Sequence, residues 1–219
     1  MTLNRGENIV ILGKSGIGKS VLTKCIVGLI EHDKGKIELF NKDISTLNDI
    51  EFDAIRKKIG YLFQGGALYD SMSVRENLEF PLRRSLFGDG SNNGIEQRIE
   101  EVLENVGLLD AIEKMPSELS GGMKKRIGLA RTLVLHPEII LYDEPTTGLD
   151  PVTSREISEL IIDIQQKYKT SSIIITHDMN CAKLTANEVK LLENGNFYAE
   201  GGFDELKYSK DKLVNAYFK

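Results

Sequence analysis

The sequence predicts an α/β protein: a mostly parallel sheet with helices between its strands, interrupted by one helical segment. Three observations carry this. Short apolar runs recur, each closed by glycine or a polar residue, as strands buried on both faces are. A helix-period stripe follows the first of them. Between about Asp70 and Leu135 the texture changes to helical periodicity and longer loops.

Each element has its own reason. "NIVIL" (Asn8 to Leu12) reads as a buried strand ending in glycine. From Lys19 to about Ile30 the pattern is helical, with Val21, Leu22, Cys25, Ile26 and Leu29 on one stripe. "FGDGSNNG" (Phe87 to Gly94) reads as a flexible loop, and "IEQRIEEVLENVGLL" after it has amphipathic spacing. "EIILYDEP" (Glu138 to Pro145) is a strand with an acidic end. "SSIIITH" (Ser171 to His177) repeats that plan with β-branched residues. "EVKLLENGNFYAEGG" reads as two strands around an Asn194-Gly195 turn. One domain over 1–219 is expected, with a core of 1–69 and 136–219 and a helical subdomain over about 70–135.

The totals bound the function. The 219 residues are 41% hydrophobic and 28% charged, ordinary for a globular protein. A net charge of −5 argues against nucleic acid as partner, since backbone phosphates call for a positive balance. Cys25 and Cys181 stand far apart without metal-site spacing and read as buried free thiols of a reducing compartment. No apolar run approaches the ~18–20 residues that span a bilayer. "MTLNRGENIV" lacks the blocks of a secretory signal.

"GKSGIGKS" (Gly13 to Ser20) matches the phosphate-loop pattern G-x-x-x-x-G-K-[ST], between a predicted strand and a predicted helix. Its glycines let the backbone wrap a phosphate, and the helix N-terminus adds its dipole. Lys19 neutralises charge and Ser20 ligates Mg²⁺. Asp143 and Glu144 close a strand, and ligands of such sheets bind beyond the strands' carboxyl ends. Asp143 is placed to hold Mg²⁺ and Glu144 to take a proton from an attacking water. His177 lies past another core strand, in reach of a γ-phosphate. Gln64 ends the run "IGYLFQ", where an amide reaches both metal and water.

In order, the phosphate loop, Gln64, "LSGG" (Leu119 to Gly122), "LYDEP" with "TTGLDP", and His177 resemble the nucleotide-binding subunit of an ABC transporter. The resemblance runs from Gly6 to the end. It implies a P-loop NTPase core with an inserted helical subdomain, ATP and Mg²⁺ as ligands, and hydrolysis coupled to transport. Nucleotide contacts then fall on Gly13, Lys14, Ser15, Gly16, Ile17, Gly18, Lys19, Ser20 and Val21. Catalysis falls on Glu144, His177 and Gln64, and the metal on Ser20, Gln64 and Asp143. Ser120, Gly121 and Gly122 are implied to meet the γ-phosphate held by a second, identical chain, with Asp150 along that seam. For Asp150 an N-cap role ahead of Pro151 is an equally ordinary reading.

Met123 stands where the family most often has glutamine. "LSGGMKKR" with "FQGGALYDSMSVRENLEFPLR" (Phe63 to Arg83) is similar to the Mce/Mla-type ATPases, which energise phospholipid trafficking across the bacterial envelope. That likeness implies permease subunits, an Mce-domain partner, small regulatory subunits, and a peripheral place on the cytoplasmic face of the inner membrane. A small-solute importer ATPase and a non-transport regulatory ATPase stay open as alternatives. Leu68, Tyr69, Met72 and Val74 are read either as permease contacts or as core. Lys124, Lys125 and Arg126 are expected on a solvated helix face. The family usually carries an adenine-stacking aromatic upstream of the loop. "MTLNRGENIVIL" has none, so either the sequence starts at an internal methionine with the early strands missing, the preferred expectation, or adenine is held some other way.

Overall fold

The computed structural model describes residues 1–85 and 94–218. The chain opens with β1 (Asn8–Leu12) and α1 (Lys19–Ile26), then a small antiparallel pair, β2 (Glu38–Leu39) and β3 (Lys42–Asp43). Next come α2 (Asp49–Arg56), β4 (Ile59–Leu62), α3 (Val74–Ser85), α4 (Ile95–Asn105) and α5 (Gly121–Leu133). The alternating plan resumes with β5 (Ile139–Asp143), α6 (Pro151–Tyr168), β6 (Ser171–Ile175) and α7 (Met179–Thr185). It ends in β7 (Glu188–Glu193), β8 (Asn196–Gly201), α8 (Phe203–Lys207) and α9 (Lys212–Tyr217).

The main sheet runs β4-β5-β6-β1-β7-β8, parallel except for β8, which pairs antiparallel with β7. All five residues of β1 and of β6 are buried, as strands covered on both faces must be. Alternation along the strands divides the core in two. Val10, Leu12, Ile140, Tyr142, Ile174 and Leu191 join one side, which α3, α4, α5 and α6 cover. Ile9, Ile11, Leu141, Ile173 and Ile175 join the other with Ile26, Val27 and Ile55 of the α1–α2 side. The turn between β7 and β8 has Asn194 at φ 48° and Gly195 at φ 78°, the left-handed pair of a tight hairpin.

One expectation needs correction. The first helix is shorter than its pattern, ending at Ile26 rather than near Ile30. Gly28 takes φ 65°, and Gly28 and Leu29 return their N–H groups to the carbonyls of Cys25 and Lys24 at 3.0 and 2.9 Å. This left-handed closure ends the helix. Its buried side is Thr23, Cys25, Ile26 and Val27, while Val21 and Leu29 lie exposed. The expected loop at Phe87 to Gly94 falls, except for Gly94, outside the described residues.

Two buried polar residues set the helical stretch. Asn77, fully buried, donates to the carbonyls of Tyr69, Met72 and Ser73 at 3.0–3.1 Å and accepts from Tyr69 N–H at 2.8 Å, which fixes the loop before α3. Arg98 of α4 donates to the carbonyls of Leu133 and Val134 at the end of α5, and pairs with Glu101 at 2.6 Å. Val74 is core, whereas Tyr69 points outward, edge-on to Phe80 with Arg131 over its ring at 4.7 Å. Both cysteines are buried and free.

Candidate active site

The carboxyl ends of β1, β5 and β6 meet at one place, where a parallel sheet puts its ligand. At the end of β1 the chain turns through Gly16 (φ 80°) and Gly18 (φ 103°) into α1. A side chain at Gly18 would be forced into the left-handed region, so the loop that leads the helix N-terminus into the site depends on glycine there. Lys19 is only 6% exposed, and its ammonium donates to the carbonyls of Gly13 at 2.7 Å and Lys14 at 3.0 Å. Burial lowers its pKa from the ordinary lysine value, and the charges of Glu144 and Asp143 oppose the shift.

Asp143, at the end of β5, accepts from Ser20 Oγ at 2.8 Å. Its second oxygen lies 3.3 Å from the hydroxyl of Tyr61, which is also 2.9 Å from Thr23 Oγ1. Burial raises the Tyr61 phenol to about 12, so it remains a neutral hydroxyl beside the carboxylate. Ser20 and Asp143 together offer hard oxygen donors next to a phosphate loop. Mg²⁺ favours such a half-site, completing its shell with phosphate oxygens and water. No cluster of three or more His, Cys, Asp or Glu side chains able to form an all-protein metal cage is found among the described residues.

Glu144 follows with φ 52°, a left-handed conformation uncommon for a residue with a side chain. Its N–H is held by Ile175 C=O at 2.9 Å. Its Oε2 lies 2.7 Å from His177 Nδ1 and accepts from Thr147 Oγ1 at 3.0 Å. A carboxylate oriented by two partners and left partly open is equipped to receive a proton.

The structure thus brings Lys19, Ser20, Asp143, Glu144 and His177 together. Lys14, Ser15 and Gly16 are exposed along the loop, Ile17 is half-buried, and Val21 is exposed on the first turn of α1. Gln64 enters through its backbone: its carbonyl accepts from Lys125, while its exposed side chain makes no hydrogen bond among the described residues. Ser120, Gly121 and Gly122 gather elsewhere, at the start of α5. Ser120 Oγ accepts from Met123 N–H at 3.2 Å, and a Cβ on Gly122 would stand 2.6 Å from Thr153. Asp150 caps α6, accepting from the N–H groups of Val152 and Thr153 at 3.0 Å each.

Lys125 overturns an expectation. It is 6% exposed, not solvated, because its position on α5 faces the loop after β4 rather than water. Arg126 pairs with Glu156 at 2.8 Å. Tyr61 and Thr147 were not expected in the site. Tyr61 stands three residues before Gln64, on a strand paired with that of Asp143, a pairing that the sequence does not carry.

With this geometry the relatives fall into line. A family model described as ABC transporter matches residues 1–147. The methionine import ATP-binding protein MetN of Carboxydothermus hydrogenoformans is 40% identical over 201 residues, covering 92% of this chain and 59% of that protein. The probable ribonucleotide transport ATP-binding protein mkl of Mycobacterium bovis is 40% identical over 217 residues, covering 99% and 60%. The chain therefore spans about three fifths of the length of these curated relatives. Among solved structures, cbiO1 of Clostridium perfringens, part of the ABC transporter complex cbiONQ, superposes with a TM-score of 0.86 at 30% identity, over 99% of this chain and 85% of its own. The ATP-binding cassette MJ0796, a dimer bound to ADP and Pi, gives 0.82 at 32% identity, over 93% and 88%. On the family match and these relatives, the chain belongs to the ABC transporter family, within its ATP-binding cassettes.

Proposed function

We propose that this chain binds and hydrolyses ATP as the motor subunit of an ABC transporter, at the cytoplasmic face of a membrane that its partners span. One observation carries the reading: Glu144, oriented by His177 and Thr147, stands beside the Ser20–Asp143 pair at the mouth of the phosphate loop. In this reading the loop amides and Lys19 hold the phosphates. Glu144 takes the proton of the attacking water, and His177 keeps the carboxylate aimed while facing the γ-phosphate. Ser20, Asp143 and Gln64 would hold Mg²⁺, which supplies charge neutralisation to the phosphates. Ser120 and Gly121, exposed at the start of α5, with the half-buried Gly122, suit a γ-phosphate carried by a second copy, with Asp150 near the seam. The dimeric, ADP-bound state of the relative MJ0796 supports such pairing.

Glu144→Gln tests the chemistry. Turnover should fall by about 10²–10⁴-fold, the usual worth of a general base, with ATP affinity by calorimetry preserved. Near wild-type phosphate release would remove Glu144 from that role.

The cargo has two readings. Phospholipid trafficking rests on "LSGGMKKR" and the stretch from Phe63 to Arg83, with an Mce-domain partner and small regulatory subunits. Small-solute import is favoured by the relative named for methionine import. Affinity purification in mild detergent, with mass spectrometry of bound proteins and lipids, separates them. An Mce-domain partner with enriched phospholipid supports the first, and a solute permease without lipid the second. A nucleic-acid partner is not part of either reading.

A further inference from the structure

Helix α5 is bonded along one side to the loop that follows β4. Lys125 donates to Gln64 C=O. One turn on, a Cβ at Gly128 would stand 2.9 Å from Gly66 O, so only glycine lets the two backbones lie this close. One further turn on, Arg131 donates to Ala67 C=O. Three positions at helical spacing thus track three loop residues, and the helix and the Gln64 loop form one seam.

Lys125 does more than join that seam. Its ammonium also donates to Glu144 C=O at 3.2 Å. Glu144 is the residue held at φ 52°, and a peptide in that region persists only where its surroundings over-determine it. Ile175 C=O holds its N–H and Thr147 N–H approaches its carbonyl at 3.3 Å, so Lys125 is the charged member of a three-bond clamp. Burying a cation is costly, and the two carbonyls to which Lys125 donates offset part of that cost.

We infer that Lys125 is a positioning residue for hydrolysis: spanning the Gln64 and Glu144 carbonyls, it fixes the peptide that aims the base and ties α5 to it. This rests on the reading of Glu144 as general base. It adds a consequence: displacement of α5 pulls on Gln64 and Glu144 together, through one side chain.

The test uses the complete protein and MgATP. Lys125→Met keeps the stem and removes the donors. Its kcat should fall about tenfold to hundredfold, the cost of misplacing a reacting group by an ångström, while KM and the affinity for a fluorescent ATP analogue stay within about twofold. Lys125→Arg, which keeps the donors, should recover most of the rate. A folded Lys125→Met with wild-type kcat overturns the inference. So does a parallel loss of melting temperature, nucleotide affinity and kcat, the pattern of a merely structural lysine. Should Lys125→Met not fold, Lys125→Gln takes its place under the same criteria. Glu144→Gln measured alongside separates the two ideas. If it is active, the base assignment fails; if it is inactive while Lys125→Met is normal, only the role of Lys125 fails.

Discussion

The turn into α1 and the turn into α5 both set glycines at a helix start, yet they are finished in opposite ways. At the first, Lys19 is folded into the turn and bonded to its own carbonyls, with Asp143 closing the side through Ser20. At the second, Ser120 and Gly121 are exposed, and Ser120 serves only the N–H of Met123. One turn brings its own cation and its own metal-binding oxygen. The other offers donors to solvent, and whatever it binds comes from outside the chain. Similar local sequence therefore builds a self-sufficient half-site in one place and a dependent one in another.

The sharpest way to break this contrast is Lys19→Ala. If the first turn carries its own affinity, nucleotide binding by the chain alone should weaken about 10–100-fold, the worth of one or two charged hydrogen bonds. Unchanged affinity by calorimetry would mean that the first turn also depends on a partner. Gly121→Ala examines the second turn. Its Cβ would meet Leu149 at 3.6 Å, an ordinary contact, and its backbone is not left-handed. Alanine should leave the melting temperature unchanged or raise it, by up to ~1 kcal/mol of helix propensity. ATP turnover should nevertheless fall about tenfold as the methyl blocks the approach of a phosphate from outside. Full turnover in that variant would assign the turn a purely local role. The smallest effect belongs to Ser120→Ala in the absence of nucleotide, about 1 kcal/mol of lost capping by chemical denaturation.

How far these features could be read beforehand differs with their physics. Strands β1, β5 and β6 were legible because burial on both faces leaves an uninterrupted apolar run. The phosphate loop, Asp143, Glu144 and His177 were legible because each sits at such a strand's end. The end of α1 was not, since its apolar spacing continues to Leu29 while Gly28 closes the helix by a backbone conformation that periodicity does not register. Lys125 was misread for a related reason. A run of three cations looks solvated in sequence, and only the close approach of Gly128 to Gly66 turns its middle member inward. Tyr61 was missed because its hydroxyl acts across to the neighbouring strand, a relation that register alone creates.

Arg98 gives α5 an electrical asymmetry. A helix carries partial negative charge at its last carbonyls and partial positive charge at its first amides. The guanidinium of Arg98 sits on the Leu133 and Val134 carbonyls, buried, where water screens it little. Those last carbonyls are thus hydrogen-bonded inside the protein, with Glu101 balancing the guanidinium's charge, while the positive pole at Ser120 opens to solvent. The end turned outward is therefore the amide end, so a docking anion would meet the attractive pole directly, a helix length away from the carbonyl end.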